Sequence, residues 1–210
     1  ILQLYYETEF AGQAFVNDVD GNTYNVIKIG DQVWMAENLR TTRYNDGTAI
    51  PYVTDGVAWA NLTTPAYCWY NNDIAYKPVY GALYTWYTVE TGKLCPAGWH
   101  VASEGDWTLL ENHLEGYTVA GGKMKEIGTE HWIAPNTNAT NVSGFTARPA
   151  GWREGGGGVY QYLGSAGTWW TSTQAGSYAV WRVIYNSSGE LGHPGGGDPS
   201  FGLSVRFIKD

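Results

Sequence analysis

Tryptophan, tyrosine and glycine crowd this chain while charge is scarce, and that combination narrows the architectures open to it before any motif is considered. Eleven Trp and 16 Tyr stand beside 28 Gly in 210 residues, and only 15% of the residues are charged. Large flat side chains with many glycines and few charges favour short strands and tight turns over long helices. The glycines follow no three-residue period, which excludes a collagen-like rod. A chain of this length can bury a core unaided, and one domain is the simplest organisation.

The net charge of −8 and the absence of any Lys/Arg cluster argue against nucleic acid as a partner. No run approaches 18 apolar residues, so no membrane insertion by this chain is expected. Ile1-Leu2-Gln3-Leu4 lacks the basic start and apolar core of a secretory leader, which reads Ile1 as a cut site or fragment boundary. The two cysteines, Cys68 and Cys95, are too few for a disulfide framework. They either pair with each other or act as two small buried hydrophobes.

Residues 1–12 read as an N-terminal arm or strand from a preceding segment, and 13–210 as a single domain. Thr23–Ile29 and Gln32–Met35 alternate around Gly30-Asp31 and predict a hairpin. Tyr80, Leu83, Tyr84 and Tyr87 recur at helical spacing and predict a short amphipathic helix within Val79–Val89. Ser103 with Asp106 three residues on forms a capping box. Trp107, Leu110 and Leu114 then mark a helix face that Gly116 ends. Later, Trp169–Thr173, Tyr178–Tyr185 and Leu203–Ile208 predict strands, with an open loop over His193–Pro199.

Several segments, taken in order, resemble the Fibrobacter succinogenes major paralogous domain, a family of exported bacterial surface domains. They are Val33–Leu39, Tyr44–Thr48, Ala66–Asp73, Tyr80–Tyr84, Lys93–His100, Gly144–Ala147, Trp169–Thr173 and Gly202–Arg206. The resemblance implies an α+β, C-type-lectin-like fold, loop-rich, with two helices flanking small twisted antiparallel sheets and the two ends close together. It also implies an extracellular or cell-surface location and attachment to a larger surface protein or pilus. Relatives often carry Cys where this chain has Phe207, so a lectin-type bridge from Cys95 to the last strand is not available.

The inventory of reactive groups points away from catalysis. His100, His113, His131 and His193 share no metal-ligand spacing with one another or with the cysteines, and no Gly-x-Ser-x-Gly elbow occurs. Gly155–Gly158 lacks the Lys-Ser/Thr ending of a phosphate loop and reads as a turn. The Glu-Pro-Asn, Gln-Pro-Asp and Trp-Asn-Asp motifs of calcium-dependent sugar binding are absent from the sequence. The cysteines do not match the context of the sulfatase-activating oxygenases that share the fold. No cofactor and no metal are therefore expected.

Binding is the function left, and its expected face lies in the final third of the chain. The candidate residues are Arg153, Tyr160, Tyr162, Tyr178, Trp181, Val183, Tyr185, Asn186, Glu190, His193 and Asp198. Tyr and Trp give wide contacts at small entropic cost, and Gly, Ser and Asn adapt around them. Trp181, Val183 and Tyr185 alternate, so they share one face of a strand, with Ile184 as the core member on the other. The expected partner is a protein or glycan. The leading reading is a surface-displayed adhesin or receptor-binding domain. The family resemblance adds that Tyr178–Ser200 is a stretch a diversity-generating retroelement could vary. The alternatives are a carbohydrate-binding module of a surface or fibre-degrading apparatus, a structural spacer and an oxygenase-like enzyme.

Overall fold

A computed structural model of the chain describes residues 15–210; the arm expected at residues 1–12 lies outside them. Strands β1 (Phe15–Asn17), β2 (Thr23–Ile29) and β3 (Gln32–Met35) form an antiparallel meander. The predicted hairpin is present, with Ile29 opposite Gln32 and Gly30 at φ +61°. A tight two-residue hairpin turn needs that left-handed value at its first position.

Short elements follow: helix α1 (Gly56–Ala60), strand β4 (Tyr67–Cys68), helix α2 (Lys77–Tyr80), strand β5 (Leu83–Tyr84) and helix α3 (Trp86–Val89). The continuous helix expected within Val79–Val89 does not form. Gly81 breaks it, with φ +75° and so close an approach to β3's continuation that a Cβ would stand 2.6 Å from the Leu39 carbonyl oxygen. Leu83 and Tyr84 pair with Cys68 and Tyr67 instead. The helical spacing of the aromatics is a coincidence of a strand set between two single-turn helices.

Strand β6 (Trp99–Val101) leads into helix α4 (Glu104–His113), and its capping box is present as predicted. The Ser103 N–H donates to the Asp106 carboxylate (2.8 Å) and the Asp106 N–H donates to Ser103 Oγ (3.2 Å). Gly116 turns the chain at φ +95° into helix α5 (Tyr117–Met124). Gly121 and Gly122 inside α5 weaken its sequence signal. They are explained by packing, because a Cβ on either would collide with the backbone of Glu190 or Asn138.

Two hairpins complete the chain: β7 (Trp152–Arg153) with β8 (Tyr160–Gln161), and β9 (Ala166–Ala175) with β10 (Tyr178–Tyr185). Strand β11 (Gly196–Gly197) adds to the free edge of β10. Strand β12 (Phe207–Lys209) returns between β3 and β6, so the first and last described strands share one five-stranded sheet, ordered β1-β2-β3-β12-β6. The ladder expected over Leu203–Ile208 begins only at Phe207; Leu203 and Ser204 make single bridges to Tyr84 and Trp169. The result is an α+β architecture of antiparallel sheets with few helices.

The long β9–β10 hairpin lies between two apolar clusters, with Trp170, Trp181 and Val183 in one and Trp169 and Ile184 in the other. A buried polar node joins them. Asn38 Oδ1 accepts hydrogen bonds from Trp169 Nε1 (2.9 Å) and Arg206 Nε (2.8 Å). Its Nδ2 donates to the Tyr80 carbonyl (3.0 Å) and Ser204 Oγ (3.2 Å), so the amide is fully used. Arg206 donates onward to the carbonyls of Met35 (2.7 Å), Phe145 (2.9 Å) and Thr146 (3.2 Å), and its guanidinium lies over the Phe145 ring. Burial pulls its pKa down to about 9, which leaves it a cation at neutral pH. Truncating Asn38 leaves the buried Trp169 indole N–H and the Arg206 Nε without their acceptor. Urea unfolding of Asn38→Ala should therefore show a loss of about 3 kcal/mol; a loss below about 1 kcal/mol would mean the node contributes little.

Candidate functional site

Strand β10 does not present the aromatic face that its alternation predicts. Trp181 is 9% exposed and Val183 3%, both inside the first apolar cluster, which corrects the expectation that they meet solvent. Strand β11 covers Trp181 closely enough that a Cβ on Gly197 would stand 3.0 Å from its Nε1, and Trp152 packs edge-on at 6.0 Å. The opposite face is buried as well. Ile184 is core as expected, and Arg182 is wholly enclosed, gripped by both Glu104 oxygens (3.0 and 2.7 Å) and by Glu111 (2.8 Å). A strand enclosed on both sides gives alternation no inside or outside to report.

Other candidate residues make contacts within the fold. Arg153, 1% exposed, donates to the carbonyls of Gly158 (3.0 Å), Val53 (2.8 Å) and Thr54 (2.8 Å), which corrects its expected ligand contact. It thereby fixes the glycine turn 155–158 against the loop before α1. Tyr160 is half-buried beside it, with its hydroxyl donating to Asn72 Oδ1 (2.6 Å). Asn186 straps two loops by donating to the Ile133 and Ala134 carbonyls (3.0 and 3.2 Å). His193 reaches Glu111 (2.6 Å) and Arg182 (2.9 Å) and ties the 192–199 loop to α4. Asp198 accepts from the Ser200 N–H and hydroxyl (2.9 and 2.8 Å) and closes a local turn.

Tyr162, Tyr178, Tyr185 and Glu190 keep their side chains in solvent. They do not form one face, since Tyr178 and Tyr185 end the same strand roughly 23 Å apart at about 3.3 Å per residue. The gathering lies at the Tyr185 end. Tyr162 stacks on Trp152 with centroids 4.2 Å apart and planes at 25°. Tyr185 pairs with Ala166, whose N–H donates to the Tyr162 carbonyl (3.0 Å), so the two residues stand on neighbouring backbone; burial raises the Tyr185 pKa. Exposed Ile133 adjoins them, since its side chain abuts Gly164 and its carbonyl binds Asn186. Trp152 and Ile133 were not legible as site residues; the turn 155–158 between two short strands is the signal that would have paired Trp152 with Gln161–Tyr162.

The backbone under this shelf is held by a buried cation. Lys125, fully buried, donates to the carbonyls of Thr137 (2.7 Å), Ser188 (2.8 Å) and Tyr185 (3.2 Å). Burial lowers its pKa to about 8, still a cation at neutral pH, and its charge draws three carbonyls inward as a bound ion would. Elsewhere, a cavity of about 200 Å³ beside Glu37, Arg148 and Arg206 and an open groove of about 800 Å³ along Val26–Asp31 share no lining residue with the shelf. Cys68 and Cys95 are free, buried thiols, which resolves their alternatives in favour of small hydrophobes; burial pushes Cys68 up to about 11. Among the described residues no cluster of three metal-ligating side chains occurs.

These features define an α+β domain whose polar groups are largely engaged in its framework and whose exposed aromatics include Tyr162 and Tyr185 on neighbouring backbone. The model of the Fibrobacter succinogenes major domain matches residues 27–209, and the chain belongs to that family. No curated protein and no solved structure matches it.

Core and surface aromatics of the same strand should separate cleanly on truncation. Trp181→Ala should cost about 3–5 kcal/mol in chemical denaturation, and Tyr185→Ala no more than about 1 kcal/mol. Comparable losses at both positions would contradict the assignment.

Proposed function

We propose that this chain is a surface-displayed, non-catalytic binding domain of adhesin or receptor-binding type, with a C-type-lectin-like fold. Its contact surface is the shelf formed by Tyr162, Trp152 and Tyr185, and its expected setting is extracellular, attached to a larger surface protein or pilus. The observation that carries this reading is the exposure of both Tyr162 and Tyr185 on neighbouring backbone that Asn186 and Lys125 hold in place. Exposed aromatics on a pre-ordered support lose little entropy on binding, which favours contact chemistry. The family and its antiparallel α+β architecture fit this role.

Retroelement diversification, on this reading, is confined within Tyr178–Ser200 to solvent-facing positions such as Tyr178, Tyr185, Ser187, Glu190 and Pro194. Varying Trp181, Arg182, Val183 or Ile184 would disrupt both clusters and the Arg182 ion pairs.

Cell binding tests the proposal. The fluorescently labelled domain should bind saturably to intact bacteria, plant cell-wall fibre or cultured epithelial cells. A Tyr162→Asn/Tyr185→Ser double variant should bind about tenfold more weakly with an unchanged melting temperature. Equal binding by the two proteins would contradict the assignment of the face, and no binding by the wild type to any of the three surfaces would favour a spacer.

A further inference from the structure

We propose that Tyr162, backed by Trp152, is a stacking subsite for an uncharged pyranose ring and works without calcium. This rests on the binding-face reading above and assigns its ligand class.

The first argument is conformational. Eight non-glycine residues among those described have positive φ, and five are Asn, the side chain best suited to it. Tyr162, at φ +62°, is the one aromatic. Thr146, another exception, is held by hydrogen bonds from its own N–H to Asn141 Oδ1 and from Arg206 to its carbonyl. Tyr162 is also locked by its neighbours: its carbonyl accepts from the Ser165 and Ala166 N–H groups (both 3.0 Å), and Gly151 lets the strands close around it. That geometry calls for Gly or Asn on grounds of stability alone. A bulky ring there, 48% exposed, is placed against local preference, and such outliers gather where a ligand is held.

The second argument is chemical. Trp152 covers one face of the Tyr162 ring in near-parallel contact, and Tyr162 is 48% exposed, so its ring can serve as a flat apolar platform. The C–H face of a pyranose matches such a platform, while its hydroxyls need polar partners at the rim. Ser165, whose hydroxyl donates to the Tyr162 carbonyl (3.2 Å), stands beside the ring, and Tyr185 lies across the ladder from the next residue, Ala166. No Lys or Arg takes part in this stack, and the chain carries a net charge of −8, so acidic sugars are disfavoured.

Calorimetric titration in EDTA against cellohexaose, xylohexaose, mannohexaose and chitohexaose tests the proposal. At least one should bind, Tyr162→Phe should retain that binding, and Tyr162→Asn should weaken it about tenfold or more. Tyr162→Asn should not lower the melting temperature, because Asn relieves the backbone conformation; this separates a lost platform from a damaged fold. Binding by none of the four sugars, loss of binding in EDTA, or unchanged binding by Tyr162→Asn overturns the proposal. If the sugars fail while the double variant still loses cell binding, the ligand class is wrong and the face stands. If a sugar binds and Tyr162→Asn leaves it unaffected, the subsite assignment falls and the face must be sought elsewhere.

Discussion

A buried cation without a hydrogen-bonded carboxylate holds this fold together. Arg206 lies in the interior, and its guanidinium is satisfied by one side-chain amide and three backbone carbonyls. Each carbonyl must stay where it is, because losing one leaves a buried charged donor unpaired. That requirement fixes the end of β3, the turn at Phe145–Thr146 and the chain just before β12 relative to one another. Asn38 extends the constraint to Trp169 on the long hairpin and to the Tyr80 carbonyl at the end of α2. Chain segments far apart in sequence are thereby joined at two side chains.

A scaffold pinned in this way separates framework from surface positions, but the division follows sequence blocks only loosely. Within the last third of the chain, framework and surface positions are interleaved: the buried run 181–184 lies between exposed Tyr178 and Tyr185. Arg153, Trp181, Val183 and Arg182 are interior, while Tyr162, Tyr178, Tyr185 and Glu190 are not. Much of the polar inventory serves to tie loops down: Arg153 on the glycine turn, Lys125 under three carbonyls, His193 on the helix that also neutralises Arg182. Charged groups that would suggest chemistry if met in a cleft act here as cross-braces.

The fold was readable from sequence where a signal is local and strong. The Ser103–Asp106 cap and the Gly30-Asp31 hairpin depend on a few adjacent residues, and both are present. The segments that carried the family resemblance were informative for a deeper reason: Val33–Leu39, Tyr80–Tyr84, Gly144–Ala147, Trp169–Thr173 and Gly202–Arg206 each supply an atom to the Asn38–Arg206 node. The site was less readable. Alternation cannot tell an enclosed strand from a surface one, so Trp181 and Val183 looked like contacts. Helical spacing misled over Val79–Val89 because the Gly81–Leu39 approach is a tertiary fact. Trp152 escaped notice because its stacking partner is ten residues away across a hairpin.

The indole N–H of Trp169 reports directly on the node, since it donates to Asn38 Oδ1 from a fully buried ring. Its hydrogen exchange, followed by NMR under native conditions, should proceed only through global unfolding, with an opening free energy equal to that from denaturant titration. Exchange through a smaller local opening, at a rate like that of the partly exposed Trp152 indole, would contradict the claim that this node holds the framework.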